Sequence, residues 1–568
     1  MKITSQIIFL SLLLLFGCQN RPQKQSETRI YGPIGDSVMV STAHPLATSA
    51  GLRILKQGGN AYDAAVAIHF ALAVVFPEAG NLGGGGFAVY RTADGQTGAL
   101  DYREKAPAAA HRDMYLDEEG NVIDMKSRFG HQAAGVPGSV AGMWALHQKL
   151  GKMSWANLLQ PSVELAYNGY TLSAYSAKNL NEKQDDFRKA NRDTPWTVKK
   201  DRWEEGDTII QKELASTLAL IQTNGRDGFY KGIVADQIEK EMILGNGLIT
   251  KEDLEKYEAV WREPVVGDYR NYSVISMPPP SSGGVAVLQL LQGAEQFKLH
   301  KLDHNSTRYV HLIAEMERRV YADRATHLGD PDYYDVPVDM LLSVQYNSDR
   351  YASISKKRKT ASEEIKEGKV EVIESVQTTH YSIVDSRGNA LSGTTTLNSF
   401  YGCKVMVGGA GFFLNNEMND FSSKPGVPNM FGLVGAEANS IAPGKRMLSS
   451  MTPTIVEKDD ELFMVVGTPG GATIITSVFQ TIMNVTGHQM TMQEAVNAPR
   501  FHHQWLPDRI LLEQDRFDRE TINELEEIGH SIEFRPNWGR VDAVLVKPDS
   551  TLEGAADYLR GDDYANGY

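Results

Sequence analysis

Eleven of the twenty residues from Lys356 to Ser375 are Lys, Arg or Glu, and a strand-patterned stretch opens directly behind them at Thr378. A segment that charged cannot bury a core, so it reads as exposed, mobile chain. The chain from Thr378 onward is of the opposite kind. Residues 381–384 are strand-like, 385–389 have turn composition, and 390–397 return as a second strand. A well-patterned hairpin therefore begins at Thr378, immediately behind a loop that cannot fold with it.

Elsewhere the chain alternates helical and strand-like segments. Residues 45–56 carry an amphipathic helix pattern ending at Gly58-Gly59, and residues 61–76 form a more apolar helix expected to be buried. Four glycines at 83–86 precede the strand-like residues 87–91, a turn at Asp94-Gly95, and residues 97–103. They are not a phosphate loop, because no Gly-Lys-Ser/Thr comes after them and no strand leads in. Glycines there let backbone pack closely. From about residue 138 to 351 helix patterns dominate, and residues 307–326 form a long one with Ser306 as its N-cap. Its charges (Glu315, Arg318, Arg319, Asp323, Arg324) read as a solvated or salt-bridged face.

Composition excludes several function classes. A net charge of −14 leaves no long basic stripe for nucleic acid. The only cysteines, Cys18 and Cys403, rule out a disulfide scaffold and a Cys-rich metal or iron–sulfur site. Among fourteen histidines no His-Glu-x-x-His pair occurs, and adjacent His502 and His503 are poorly spaced as ligands on one helical face. No metal and no cofactor is expected.

The N-terminus reads as an export signal. Lys2 precedes an apolar run from residue 7 to 16 that is too short to span a bilayer, which takes about 20 residues. Leu15-Phe16-Gly17-Cys18 resembles a bacterial lipobox, whose cysteine thiol receives diacylglycerol and becomes the mature N-terminus. A plain signal peptide with an incidental cysteine is the alternative. Residues 1–17 are then a signal peptide, residues 19–27 a flexible tether, and the protein is exported, periplasmic or membrane-anchored by lipid alone.

Thr378-Thr379-His380-Tyr381-Ser382 resembles the γ-glutamyltranspeptidases (glutathione hydrolases), members of the N-terminal-nucleophile hydrolase superfamily. The resemblance also takes in Asp101-Tyr102-Arg103-Glu104, residues 414–421 and 424–435, Leu448-Ser449-Ser450-Met451, Thr468-Pro469-Gly470-Gly471 and residues 499–507. It implies an α+β fold, the four-layer αββα sandwich. It also implies one precursor cut between Gln377 and Thr378, giving a large subunit (18–377) and a small one (378–568) that stay together.

The physical need for that cut is independent of the resemblance. A threonine hydroxyl is a poor nucleophile without a base. An amide nitrogen at Thr378 has no basicity, whereas a free α-amine has a pKa of about 7.7–8 and lies within reach of its own hydroxyl. In the family's pattern Thr378 is the nucleophile, Thr396 hydrogen-bonds it, and Gly470 and Gly471 form the oxyanion hole. A γ-glutamyl group carries an α-carboxylate and an α-ammonium. Arg103 suits the former, supported by Ser449 and Ser450; Asp420 suits the latter, with Glu417 and Asn398.

Residues 425–435 suit a lid, with Phe431 where many bacterial relatives carry tyrosine, and Tyr558 replaces an expected proline. The expected activity is cleavage of glutathione and other γ-glutamyl compounds through a γ-glutamyl-threonine ester, with transfer to water or to an amino acid or peptide. Two alternatives stay open: a glutaryl-type β-lactam acylase of the same superfamily, and an uncleaved lipoprotein that binds γ-glutamyl peptides.

Overall fold

The structure is a computed structural model that describes residues 29–365, 378–430, 433 and 435–568. The N-terminal apolar run, Cys18, Gln377 and Phe431 lie outside the described residues.

The hairpin at Thr378 forms as its pattern requires. Strand Thr379–Val384 pairs antiparallel with Ala390–Thr396, with Thr379 opposite Thr395. Its turn is held by Asp385, whose carboxylate accepts hydrogen bonds from the Arg387 and Asn389 N–H groups. Every residue of both strands is buried, so they are the centre of a sheet and not its surface. That seven-stranded sheet runs in the order Tyr564–Gly567, Met39–Thr42, Thr379–Val384, Ala390–Thr396, Gly85–Arg91, Thr97–Asp101, Val260–Arg262.

A second seven-stranded sheet, also antiparallel, is ordered Ile34–Gly35, Leu552–Ala555, Asp542–Val546, Glu461–Gly467, Thr454–Lys458, Tyr272–Ser276, Val265–Tyr269. The two sheets face each other through residues such as Met39, Phe87 and Val89 on one and Val274, Ile455 and Val465 on the other. Helix Ala61–Val75, buried at every position, covers the outer face of the first sheet, with Pro45–Lys56 packed beside it. Helices Gly283–Gln296 and Thr473–Thr486 cover the second, and Thr307–His327 packs on Gly283–Gln296. This is the expected four-layer αββα sandwich. Each sheet takes strands from both sides of residue 378, so the two portions of the chain share one core.

The glycines at 83–86 do pack backbone against backbone. A Cβ on Gly84 would lie 2.0 Å from the Thr396 carbonyl oxygen, and one on Gly86 would lie 2.3 Å from that of Thr394. Strand Gly85–Arg91 can therefore lie against Ala390–Thr396 only without side chains at this end.

Two expectations are corrected. The charges of helix Thr307–His327 are not solvated: Glu315, Arg318, Arg319, Asp323 and Arg324 are all buried. Glu315 lies 3.2 Å from Arg318 and 2.9 Å from Arg319, and Asp323 lies 2.5 Å from Arg350. The described part of the charged segment, up to Ile365, is not wholly exposed either. Thr360 donates to Glu315 through both its N–H and its hydroxyl, Lys359 reaches Asp508, and Ser362 and Ile365 are buried. The reason is the same in both cases, since these charges find their partners inside the fold, with Arg318 and Lys359 sharing Asp508.

Candidate active site

Thr378 immediately precedes a central strand, only 6 % exposed, one residue before the pair Thr379–Thr395, which brings it beside Thr396. Their hydroxyl oxygens are 3.5 Å apart. The Thr396 hydroxyl is itself fixed by the Asn398 N–H at 2.7 Å. Asn398 occupies the left-handed region at φ 74°, which asparagine tolerates better than most residues. Thr394 and Thr395, the neighbours of Thr396, are spent inside the fold: Thr394 pairs with His380, and Thr395 donates to the Gly85 carbonyl.

Strand Glu461–Gly467 leads to Gly470-Gly471 and then to helix Thr473–Thr486. Gly470 has φ 149° and Gly471 φ 54°, so this turn needs glycine. The Gly470 carbonyl is taken by the N–H and hydroxyl of Thr473, whereas neither glycine N–H donates to an acceptor among the described residues. Two N–H groups without acceptors at a strand-to-helix turn near a threonine hydroxyl are chemically able to stabilise a developing oxyanion.

Thr378, Thr396, Asn398, Gly471, Arg103, Glu417, Asp420, Ser449 and Ser450 line one small cavity. Of the ten residues singled out from sequence, nine are thus together, with Gly470 next in the chain. The charges are arranged differently from the expectation. The Arg103 guanidinium lies 2.6 Å from Asp420 and 2.8 Å from Glu417, so the group meant for a carboxylate and the group meant for an ammonium neutralise each other. The cavity encloses only about 20 Å³, roughly enough for one water. Asn429, from the segment expected as a lid, donates to Asp420, and Leu433 lines the cavity.

Burial opposes the charge on Arg103, but Glu417, Asp420 and Glu104 outweigh it and hold its pKa above the ordinary value. Burial pushes the carboxyls of Glu417 and Asp420 upwards, against the pull of Arg103. The Ser449 hydroxyl accepts from the Met451 N–H.

Two residues of this site escaped the sequence reading. Glu104 is fully buried 3.7 Å from Arg103, and burial pushes its carboxyl up to about 8 despite that neighbour. Arg324 donates to the hydroxyls of Ser450 and Ser282, and burial lowers its pKa to about 10. A signal for it existed. Glu317, Arg318 and Arg319 are consecutive, and at about 100° per residue they sweep too much of a helix to share one solvated face. His502 and His503 turn to different partners, Thr476 with Gln504 and Asp508 respectively.

Residues 47–567 match the family model described as γ-glutamyltranspeptidase. The chain is 45% identical over 532 residues to the glutathione hydrolase proenzyme of Escherichia coli, covering 93% of this chain and 92% of that one. The crystal structure of Helicobacter pylori γ-glutamyltranspeptidase is 48% identical, covers 57% of this chain and 93% of its own, and superposes with a TM-score of 0.56. That of a cephalosporin acylase from Bacillus halodurans is 25% identical, covers 98% and 99%, and has a TM-score of 0.81. Thr378, the glycine turn and the charged cavity lie within a match that runs along nearly the whole length, so this chain belongs to the γ-glutamyltranspeptidase family.

Proposed function

We propose that this protein is a self-processing enzyme that cleaves γ-glutamyl amides such as glutathione and passes the γ-glutamyl group to water or to an amine. The observation that carries this reading is that Thr378 shares one small cavity with Arg103, Glu417 and Asp420. A γ-glutamyl group is a zwitterion at its α-carbon. It enters by exchange: its carboxylate replaces Asp420 on Arg103, and its ammonium takes the freed carboxylates. Charge is conserved inside the cavity, so no unpaired ion is buried.

Maturation and turnover use the same hydroxyl. In the precursor the Thr378 Oγ attacks the Gln377 carbonyl and the peptide C–N bond breaks, which frees the Thr378 α-amine; water then hydrolyses the resulting ester, freeing the hydroxyl and a Gln377 carboxylate. In the mature enzyme that amine takes the hydroxyl proton while Oγ adds to the substrate's γ-carbonyl. The Gly470 and Gly471 N–H groups receive the oxyanion. The intermediate collapses as the leaving nitrogen takes a proton, leaving a γ-glutamyl ester on Thr378. Water or an acceptor amine adds to that ester by the same route. The hydrogen bond that the Thr378 hydroxyl donates to Thr396 keeps it aimed.

Glu417 and Asp420 favour γ-glutamyl over glutaryl substrates, because a glutaryl chain has no ammonium for them. Electrophoresis and paired anilides test the reading. The wild type should run as fragments divided before Thr378, and Thr378→Ala should remain one inactive chain. γ-Glutamyl anilide should be cleaved at least about a hundredfold more efficiently than glutaryl anilide. Self-cleavage of Thr378→Ala, or equal rates on the two anilides, would overturn the assignment.

Export rests on Lys2, the apolar run and Cys18. No helix among the described residues is long and apolar enough to cross a membrane. If Cys18 carries lipid, the mature protein partitions into detergent and Cys18→Ser blocks processing at that site.

A further inference from the structure

Nothing within the glycine turn fixes where its two N–H groups point, because glycine leaves the neighbouring peptide planes free to rotate. A peptide unit is planar and trans, however, so its N–H points opposite to its own carbonyl. Whatever grips that carbonyl sets the direction of the N–H. The Gly470 N–H shares a plane with the Pro469 carbonyl, and the Gly471 N–H shares one with the Gly470 carbonyl.

Both carbonyls are gripped by a threonine hydroxyl. Thr468 donates to the Pro469 carbonyl at 2.8 Å, and Thr473 donates to the Gly470 carbonyl at 2.8 Å. The Thr468 oxygen accepts from the Arg540 N–H at 2.8 Å, so its own proton is left for Pro469. The Thr473 N–H adds a second bond to the Gly470 carbonyl at 3.0 Å. That N–H lies in the plane of the Ala472 carbonyl, which accepts from the Tyr321 hydroxyl. Thr468 and Thr473 are both buried, which strengthens these bonds and keeps water from competing for them.

The turn stands beside the nucleophile, since Gly471 lines one cavity with Thr378 and Pro469 and Thr473 line another with it. We infer that Thr468 and Thr473 are the positioning residues of the oxyanion turn, Thr468 aiming the N–H of Gly470 and Thr473 that of Gly471. This rests on the reading of Thr378 as the nucleophile. The two are unequal. Among the described residues the Pro469 carbonyl accepts from Thr468 alone, whereas the Gly470 carbonyl keeps its backbone bond without the Thr473 hydroxyl.

Thr468→Val and Thr473→Val each delete one hydroxyl and keep its shape. An oxyanion exists only after Oγ has added, so a donor aimed at it acts on kcat and not on ground-state binding. On γ-glutamyl anilide, kcat should fall at least about tenfold in Thr468→Val, a fraction of the 10²–10³ that loss of a whole donor costs. In Thr473→Val it should fall about threefold, with KM nearly constant in both variants. Thr468→Ser and Thr473→Ser should restore it.

Two ligands that are not turned over separate aiming from support of the fold. The glutamate analogue with a boronic acid in place of its γ-carboxyl group becomes tetrahedral on Thr378 Oγ and sets an oxygen at the turn. Each Val variant should bind it more weakly by about the factor lost in kcat. Norvaline has the same chain and α-groups and no γ-oxygen, so its affinity should not change. Unchanged kcat in both Val variants, equal weakening of boronate and norvaline, or Ser variants no better than Val variants would overturn the inference. If Thr468→Val stays uncut, Thr473→Val and Thr473→Ser decide by the same measurements. A wild type that cleaves only glutaryl anilide would strike the γ-glutamyl reading, and kcat of the same variants on that anilide would still test the turn.

Discussion

The guanidinium of Arg103 lies 2.6 Å from the carboxylate of Asp420, so the two charges suited to opposite ends of an α-amino acid hold each other. Substrate must break this pair to bind. Asp420→Asn removes the partner of the incoming ammonium. It should lower kcat/KM for a γ-glutamyl anilide by at least about a hundredfold. The glutaryl anilide should lose much less, because it never offered Asp420 an ammonium, so the ratio of the two rates is the measurement.

Thr396 is expected to act by aiming Thr378. Thr396→Val keeps the shape and deletes the hydroxyl that stands 3.5 Å from the nucleophile. Its kcat on γ-glutamyl anilide should fall about tenfold with KM nearly constant, and fragment formation should slow in parallel. Thr396→Ser should restore both. Loss in KM alone would show that Thr396 does not aim the hydroxyl.

Arg324 and Ser450 form one unit, joined at 3.2 Å inside the core. Arg324→Met and Ser450→Ala should each raise KM for γ-glutamyl anilide by about tenfold. Combined, they should cost clearly less than the product of the two, as for residues in one network. Multiplicative effects would mean that Arg324 does not work through Ser450.

Glu104 makes stability fall with rising pH. The folded protein holds its proton up to about pH 8, whereas the unfolded chain releases it near 4.5. Its contribution is complete below about pH 4.5 and is lost as pH rises through about 8, with a limiting slope of about 1.4 kcal/mol per pH unit. Glu104→Gln cannot ionise. Its Tm should therefore decline less than that of the wild type between about pH 5 and pH 8 in calorimetry. Parallel Tm profiles would place the proton elsewhere.

Much of this protein was legible from residues alone, and the reason is local. Hairpin pattern around Thr378, the strand–Gly-Gly–helix order at 461–486 and the helices at 45–75 each depend on neighbours in sequence, where periodicity, caps and turns act. Nine of the ten predicted site residues line one cavity because short motifs carried them. Three things were decided only by tertiary structure. Arg103 pairs with Asp420 across 317 positions of sequence. The charges of helix Thr307–His327 are buried because residues 353–365 and 508 bring their partners to them, which no helical period reveals. A second cavity lined by Thr378, with Arg535, Arg540 and Arg560 in its wall, is assembled from residues near 175, 378, 470, 511 and 535–560, each unremarkable in its own stretch. Sequence pattern reports which face of an element is apolar. Where an ion's partner lies is set by how distant elements stack, because a buried charge must be matched in space and not in sequence.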